Sequence, residues 1–131
     1  MTDDQPNSGA GGVEAVVRAC FAAFTHRRRT DAEAVISEDF TFTSPYDDAI
    51  DRAAYFERCW PNGDRFSAFD IERVAVDAGG AFVTYLCTTT DGLSFRNTEY
   101  LTVRDAQVTS VNVYFGASYR DGRFVAKQPG S

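Results

Sequence analysis

The chain has 131 residues, 44% hydrophobic and 24% charged, which fits one soluble globular domain long enough to bury a core. Its net charge of -6 argues against a general binder of nucleic acid, because such affinity rests on many Lys and Arg contacts to phosphates. Eleven Phe, six Tyr and one Trp are a rich aromatic share, suited to a packed core or to the lining of an apolar pocket.

Residues 1–12 are polar, acidic and Gly-rich and read as a disordered head, without the basic start or apolar run of a signal peptide. No stretch approaches the ~20 apolar residues that span a bilayer, so the cytosol is the expected location and no membrane partner is expected. After Gly11-Gly12, the residues Val13, Val16, Val17, Cys20, Phe21 and Phe24 recur at i, i+3, i+4, i+7, i+8 and i+11, the pattern of an amphipathic helix. The run Arg27-Arg28-Arg29 reads as a solvated helix end, where cations suit the C-terminal dipole. Thr30-Asp31-Ala32-Glu33 has the form of a capping box and predicts a short second helix to about Ile36.

Phe40-Thr41-Phe42-Thr43-Ser44 alternates as a strand until Pro45 stops it, and Tyr46-Asp47-Asp48-Ala49 follows as a loop. Asp51 can cap a third helix, with Ile50 placed to staple onto Tyr55. This helix presents Tyr55, Phe56, Cys59 and Trp60 on one side and ends at Pro61-Asn62-Gly63. From there the period becomes strand-like. Residues 67–77, 81–90, 93–104 and 107–116 read as four long strands, separated by Asp77-Ala78-Gly79-Gly80, Asp91-Gly92 and Asp105-Ala106-Gln107. Such short connections make an antiparallel meander. The domain proper is then 13–116, and 117–131 is a loosely attached tail.

Within the third of these strands, Phe95, Asn97, Glu99, Leu101 and Val103 share one face, while Ser94, Arg96, Thr98, Tyr100, Thr102 and Arg104 share the other. A carboxylate and an amide thus lie among apolar neighbours. Burying a carboxylate is costly unless it is hydrogen-bonded or protonated. Helices followed by a bent meander define an α+β domain, a curved sheet wrapped around the first and third helices with a conical cavity at its open end.

The order helix, helix, Glu38-Asp39-Phe40-Thr41-Phe42-Thr43-Ser44-Pro45, helix, then four strands ending in Val111-Asn112-Val113-Tyr114-Phe115-Gly116 resembles the nuclear transport factor 2-like (NTF2-like) superfamily, and within it the SnoaL-like, ketosteroid-isomerase-like branch. The resemblance implies a cone with a pocket at its open end and a homodimer packed through the sheet, whose outer face would carry Thr98, Tyr100, Asn112 and Tyr114. A monomer in sedimentation at micromolar concentration would count against that dimer. Ketosteroid isomerases place a Tyr on the first helix, an Asp on a late strand and an Asp immediately before the Pro that ends the first strand. The corresponding positions here are Ala23 or Phe24, Glu99 and Ser44. Steroid isomerisation by that mechanism is therefore not expected.

Glu99 is the candidate acid–base group and Asn97 the candidate orienting donor; a pair that merely holds strand register is the competing reading. Phe42, Ser44, Tyr46, Asp47, Tyr55, Trp60, Phe66, Phe95 and Phe115 are candidate ligand contacts, whereas Phe56 reads as core. Asp47-Asp48 could add a second acid at the pocket mouth or could be a turn signal. His26, the only histidine, reads as solvent-exposed. Cys20, Cys59 and Cys87 are odd in number, lack CxxC spacing and read as small core residues of a reducing compartment. No metal-ligand spacing, phosphate loop, dinucleotide fingerprint or nucleophile elbow is present, so no metal and no cofactor is expected. Two functions remain open. One is cofactor-independent proton transfer on a mostly apolar carbonyl or hydroxyl compound. The other is a non-catalytic ligand-binding or dimerisation module.

Overall fold

A computed structural model describes residues 10–126; residues 1–9 of the head and 127–131 of the tail lie outside the described residues. The elements are helices α1 (Ala10–Thr25) and α2 (Arg29–Val35), strands β1 (Ile36–Thr43) and β2 (Ile50–Asp51), helix α3 (Arg52–Arg58), a 3-10 turn at Trp60–Arg65, and strands β3 (Phe66–Asp77), β4 (Gly80–Thr89), β5 (Ser94–Arg104), β6 (Gln107–Arg120) and β7 (Arg123–Val125). Helix α1 begins at Ala10, so Gly11-Gly12 belongs to its first turn and not to the head. Asp51 caps α3, its carboxylate accepting the Ala54 N–H at 2.9 Å. The expected capping box of α2 does not form. Glu33 is drawn instead to the Arg29 guanidinium one turn away, at 2.7 Å.

The late strands form the expected meander, with β3, β4, β5 and β6 paired antiparallel in sequence order. Strand β1 joins this meander parallel to β6, with Phe42 opposite Val111 and Thr43 opposite Asn112. The sheet is therefore mixed, seven-stranded, curved and unclosed, in the order β2-β1-β6-β5-β4-β3 with β7 also on β6. Strand β6 does not stop at Gly116. It continues to Arg120, Ser118 is fully buried, and β7 pairs with its end through Ser118–Val125 and Tyr119–Phe124. Residues 117–125, expected as a loose tail, are thus part of the sheet. Gly116 marks a bulge and not an end. The β5–β6 register slips between Phe95 and Asn97, and a Cβ on Gly116 would lie 2.0 Å from the Arg96 carbonyl oxygen.

Helix α1 lies across the concave face against β3 to β6, and α3 packs on β1. The seam between them is filled by Val16, Val17 and Phe21 of α1, Phe40 of β1, Val83 of β4, Leu101 of β5 and Val108 of β6, all buried. Each such side chain stabilises the fold by about 1.5–3 kcal/mol. The outer face of the sheet keeps aromatic surface exposed. Tyr114 is 58% and Phe82 42% accessible, and the Phe82 and Tyr100 rings lie 4.5 Å apart. No helix among the described residues is long and apolar enough to cross a membrane.

The end of α1 is a clamp. Arg27, at φ 55°, lays its guanidinium 4.4 Å over the Trp60 ring and 5.1 Å over Phe24, and donates to the Trp60 carbonyl at 2.6 Å and to Asp64 at 2.9 Å. Of the basic run only Arg28 and Arg29 are exposed; Arg27 was expected in water and is half-buried in this stack. Gly63 leaves room beneath it, since a Cβ there would lie 2.0 Å from the guanidinium and would make Arg27 shift. His26 is exposed, as expected.

Candidate functional site

Between the helices and the concave face lies a cavity of about 380 Å³, within the range of small-molecule pockets. Its walls are largely aromatic and aliphatic: Phe21 and Phe24 of α1, Phe40 and Phe42 of β1, Tyr55 of α3, Phe66 and Phe69 of β3, Phe95 and Leu101 of β5, and Val111, Val113 and Phe115 of β6. Asn97 and Glu99 line it where strand alternation placed them, and Tyr85 of β4 stands with them. Exposed Tyr46, Arg58 and Arg65 also line it, which makes them the rim where the cavity meets water.

The floor is a directed chain of hydrogen bonds. The Gly116 N–H donates to Asn97 Oδ1 at 3.2 Å, Asn97 Nδ2 donates to Tyr85 Oη at 3.2 Å, and Tyr85 Oη donates to Glu99 Oε2 at 2.6 Å. Backbone register sets it up, because Tyr85 faces Asn97 directly across the β4–β5 ladder and Glu99 faces Val83 one inward position along. Phe69 stacks on the Tyr85 ring at 4.4 Å and Phe21 meets its edge at 5.6 Å, fixing the phenol in place. Glu99 Oε1 has no hydrogen-bond partner among the described residues, and Glu99 lines the cavity. Burial pushes the Glu99 carboxyl up to about 7, against the hydrogen bond from Tyr85, which pulls it down. Burial and the neighbouring Glu99 hold the Tyr85 phenol well above its ordinary range, so it remains a donor at neutral pH.

A family profile described as SnoaL-like domain matches residues 17–111. The chain belongs to the SnoaL-like family. No curated protein matches it. Among solved structures it is similar to a candidate ketosteroid isomerase from Kribbella flavida, at 20% identity, with 91% of each chain covered and a TM-score of 0.68. An NTF2-like protein from Burkholderia xenovorans matches at 13% identity over 90% of this chain and 88% of its own, with a TM-score of 0.69. A candidate polyketide cyclase from Sinorhizobium meliloti matches at 15% identity over 76% and 93%, with a TM-score of 0.64. At these identities the likeness fixes the fold, an NTF2-like cone.

In this SnoaL-like chain every residue expected at the ligand lines the cavity except Trp60. Successive helical residues point about 100° apart, so the side formed by α3 and the start of the 3-10 turn splits into two stripes. Tyr55 and Cys59 face the cavity, while Phe56 and Trp60 turn to the Arg27 clamp, with the Trp60 ring 5.7 Å from Phe56 and 5.6 Å from Phe24. Helix α1 offers Cys20, Phe21 and Phe24 to the cavity, and Ala23 is buried in the core away from it. The phenol beside the acid comes from β4, not from α1. Ser44, at the strand end before Pro45, accepts the Tyr46 N–H at 3.1 Å and acts as a turn residue. Cys87 is buried as expected, but Cys20 and Cys59 are half-buried in the cavity wall. Burial pushes the Cys20 thiol up to about 12 and Cys59 up to about 11, so neither is a thiolate nucleophile at neutral pH. Among the described residues no three His, Cys, Asp or Glu side chains are grouped to hold a metal ion.

Proposed function

We propose that the cone binds a mostly apolar, ring-containing small molecule with a carbonyl or hydroxyl end, and that Glu99 moves a proton on it without a cofactor. The observation that carries this reading is a carboxyl raised to about 7, anchored through one oxygen by Tyr85, with the other unpartnered in an apolar cavity. Such a group is part carboxylate and part acid at neutral pH, so it can take a proton from carbon beside a carbonyl and return it to another atom of the same molecule. Isomerisation, cyclisation and dehydration all need that step. The names carried by the Kribbella flavida and Sinorhizobium meliloti structures, an isomerase and a cyclase, agree with it. Asn97 is a positioning residue, since its amide is engaged by Gly116 and Tyr85 and reaches Glu99 through the phenol.

The test is hydrogen–deuterium exchange at the α-carbon of a panel of cyclic ketones and enones in D2O near pH 7, followed by proton NMR. The protein should accelerate exchange on at least one compound, and Glu99→Gln should slow it by about 100-fold or more. Full exchange in the variant would remove Glu99 from the mechanism. One observation favours a second reading, a non-catalytic binding module: apart from Oε1 of Glu99, the floor is already paired within the protein. Tight binding of a panel compound with no exchange on any would select that reading.

A further inference from the structure

We propose that the ligand carries a carboxylate at the end opposite its carbonyl or hydroxyl group, and that Arg65, with Arg58, receives it at the rim. The inference rests on the pocket reading above and gives it a direction. A chain with 19 acids and 13 Lys and Arg leaves one cation at this entrance without an ion pair: the Arg65 guanidinium has no hydrogen bond or salt bridge among the described residues, yet it lines the cavity. Arg58 lines it too and is paired with Asp47, whose backbone exchanges hydrogen bonds with Ser44 at 2.7 and 3.2 Å and is thereby fixed. The apolar walls between rim and floor would not stabilise an anion, and Glu99 at the floor repels one whenever it is ionised. A carboxylate therefore has only the rim, where guanidinium forks match its two oxygens. Asp47 competes for Arg58, and a ligand carboxylate takes its place.

The discriminating probes are 6-hydroxy-2-naphthoate and 6-acetyl-2-naphthol, which share a ring system and a hydroxyl for the floor but differ in charge at the far end. Their dissociation constants are measured by titration calorimetry at low salt. The protein should prefer the carboxylate by about five-fold, the scale of exposed ion pairs, and 0.5 M NaCl should erode the preference. Arg65→Gln should bring the two probes close to equal affinity, leaving the neutral one unchanged. Asp47→Asn should strengthen the carboxylate about two-fold by releasing Arg58, a gain that a purely structural Asp47–Arg58 pair does not predict. Binding of the neutral probe with no carboxylate preference, or a preference that Arg65→Gln and Asp47→Asn both leave unmoved, overturns this inference and leaves the pocket reading standing. Failure of both probes to bind overturns both.

Discussion

At the floor of the cavity Glu99, Tyr85 and Asn97 lie among apolar side chains in a chain of hydrogen bonds that begins at a backbone amide, whereas at the rim Asp47, Arg58 and Arg65 stand against water with a single ion pair among them. The same kinds of group behave differently at the two ends because the medium differs. Away from water a charge interacts strongly and is costly to create, so the floor can tune a proton affinity. In water a charge is screened and inexpensive to hold, so the rim can attract and orient but not activate. The floor is built to tune a charge and the rim to hold one.

The largest test of this contrast is the free energy stored in Glu99. Its folded pKa is raised, from an ordinary 4.5 to about 7, which corresponds to at most about 3 kcal/mol, because Glu99 is half-buried in the cavity wall and keeps some contact with water. The folded protein binds more protons than the unfolded chain between these values, so stability falls as pH rises through that window. Below pH 4 the carboxyl is neutral in both states and adds nothing. Glu99→Gln, which keeps an oxygen for Tyr85, should therefore leave urea stability unchanged near pH 4 and raise it by about 1 kcal/mol or more, up to about 3 kcal/mol, at pH 8.5. Equal stability of the two proteins at pH 8.5 would mean that the floor is as wet as the rim.

The placement of Glu99 and Asn97 was legible in the sequence because strand alternation has a period of two and β5 follows it without interruption where they lie. Tyr85 was not, since β4 carries apolar residues on both faces: Ala81, Val83 and Cys87 inward, Phe82 and Leu86 outward. The signal was in the hairpin. The Asp91-Gly92 turn sets Thr88 opposite Ser94, and counting back along the ladder puts Tyr85 opposite Asn97. Trp60 misled because one apolar helix side was read as one surface, although α3 ends at Arg58, Trp60 opens the 3-10 turn, and the side chains divide between cavity and clamp. The parallel pairing of β1 with β6 joins segments far apart in the chain, and no local pattern encodes it.

A smaller change at the floor separates anchoring from burial. Tyr85→Phe keeps the ring between Phe69 and Phe21 but removes the proton that Glu99 accepts. That hydrogen bond holds the Glu99 pKa down against burial, so its loss should move the carboxyl further above 7, by about one pH unit. The titration of the Glu99 carboxyl carbon, followed by carbon-13 NMR, reads this directly. An unmoved midpoint would show that Tyr85 packs beside the acid without tuning it.

The smallest expected effect is at the rim, and its smallness is the point. Arg58 is 54% exposed, so its attraction to Asp47 is weakened by water even though Asp47 itself is largely covered. Arg58→Gln should cost less than about 1 kcal/mol in urea denaturation, and the loss should shrink further in 0.5 M NaCl, where exposed charges are screened within a few ångströms. The floor should depend less on salt, because Tyr85 and Glu99 meet through a direct 2.6 Å hydrogen bond between largely covered side chains. A rim substitution that destabilised the fold by as much as Glu99→Gln stabilises it, or did so independently of salt, would make Asp47–Arg58 a structural pair like the Arg27 clamp. It could not then yield to a ligand's carboxylate.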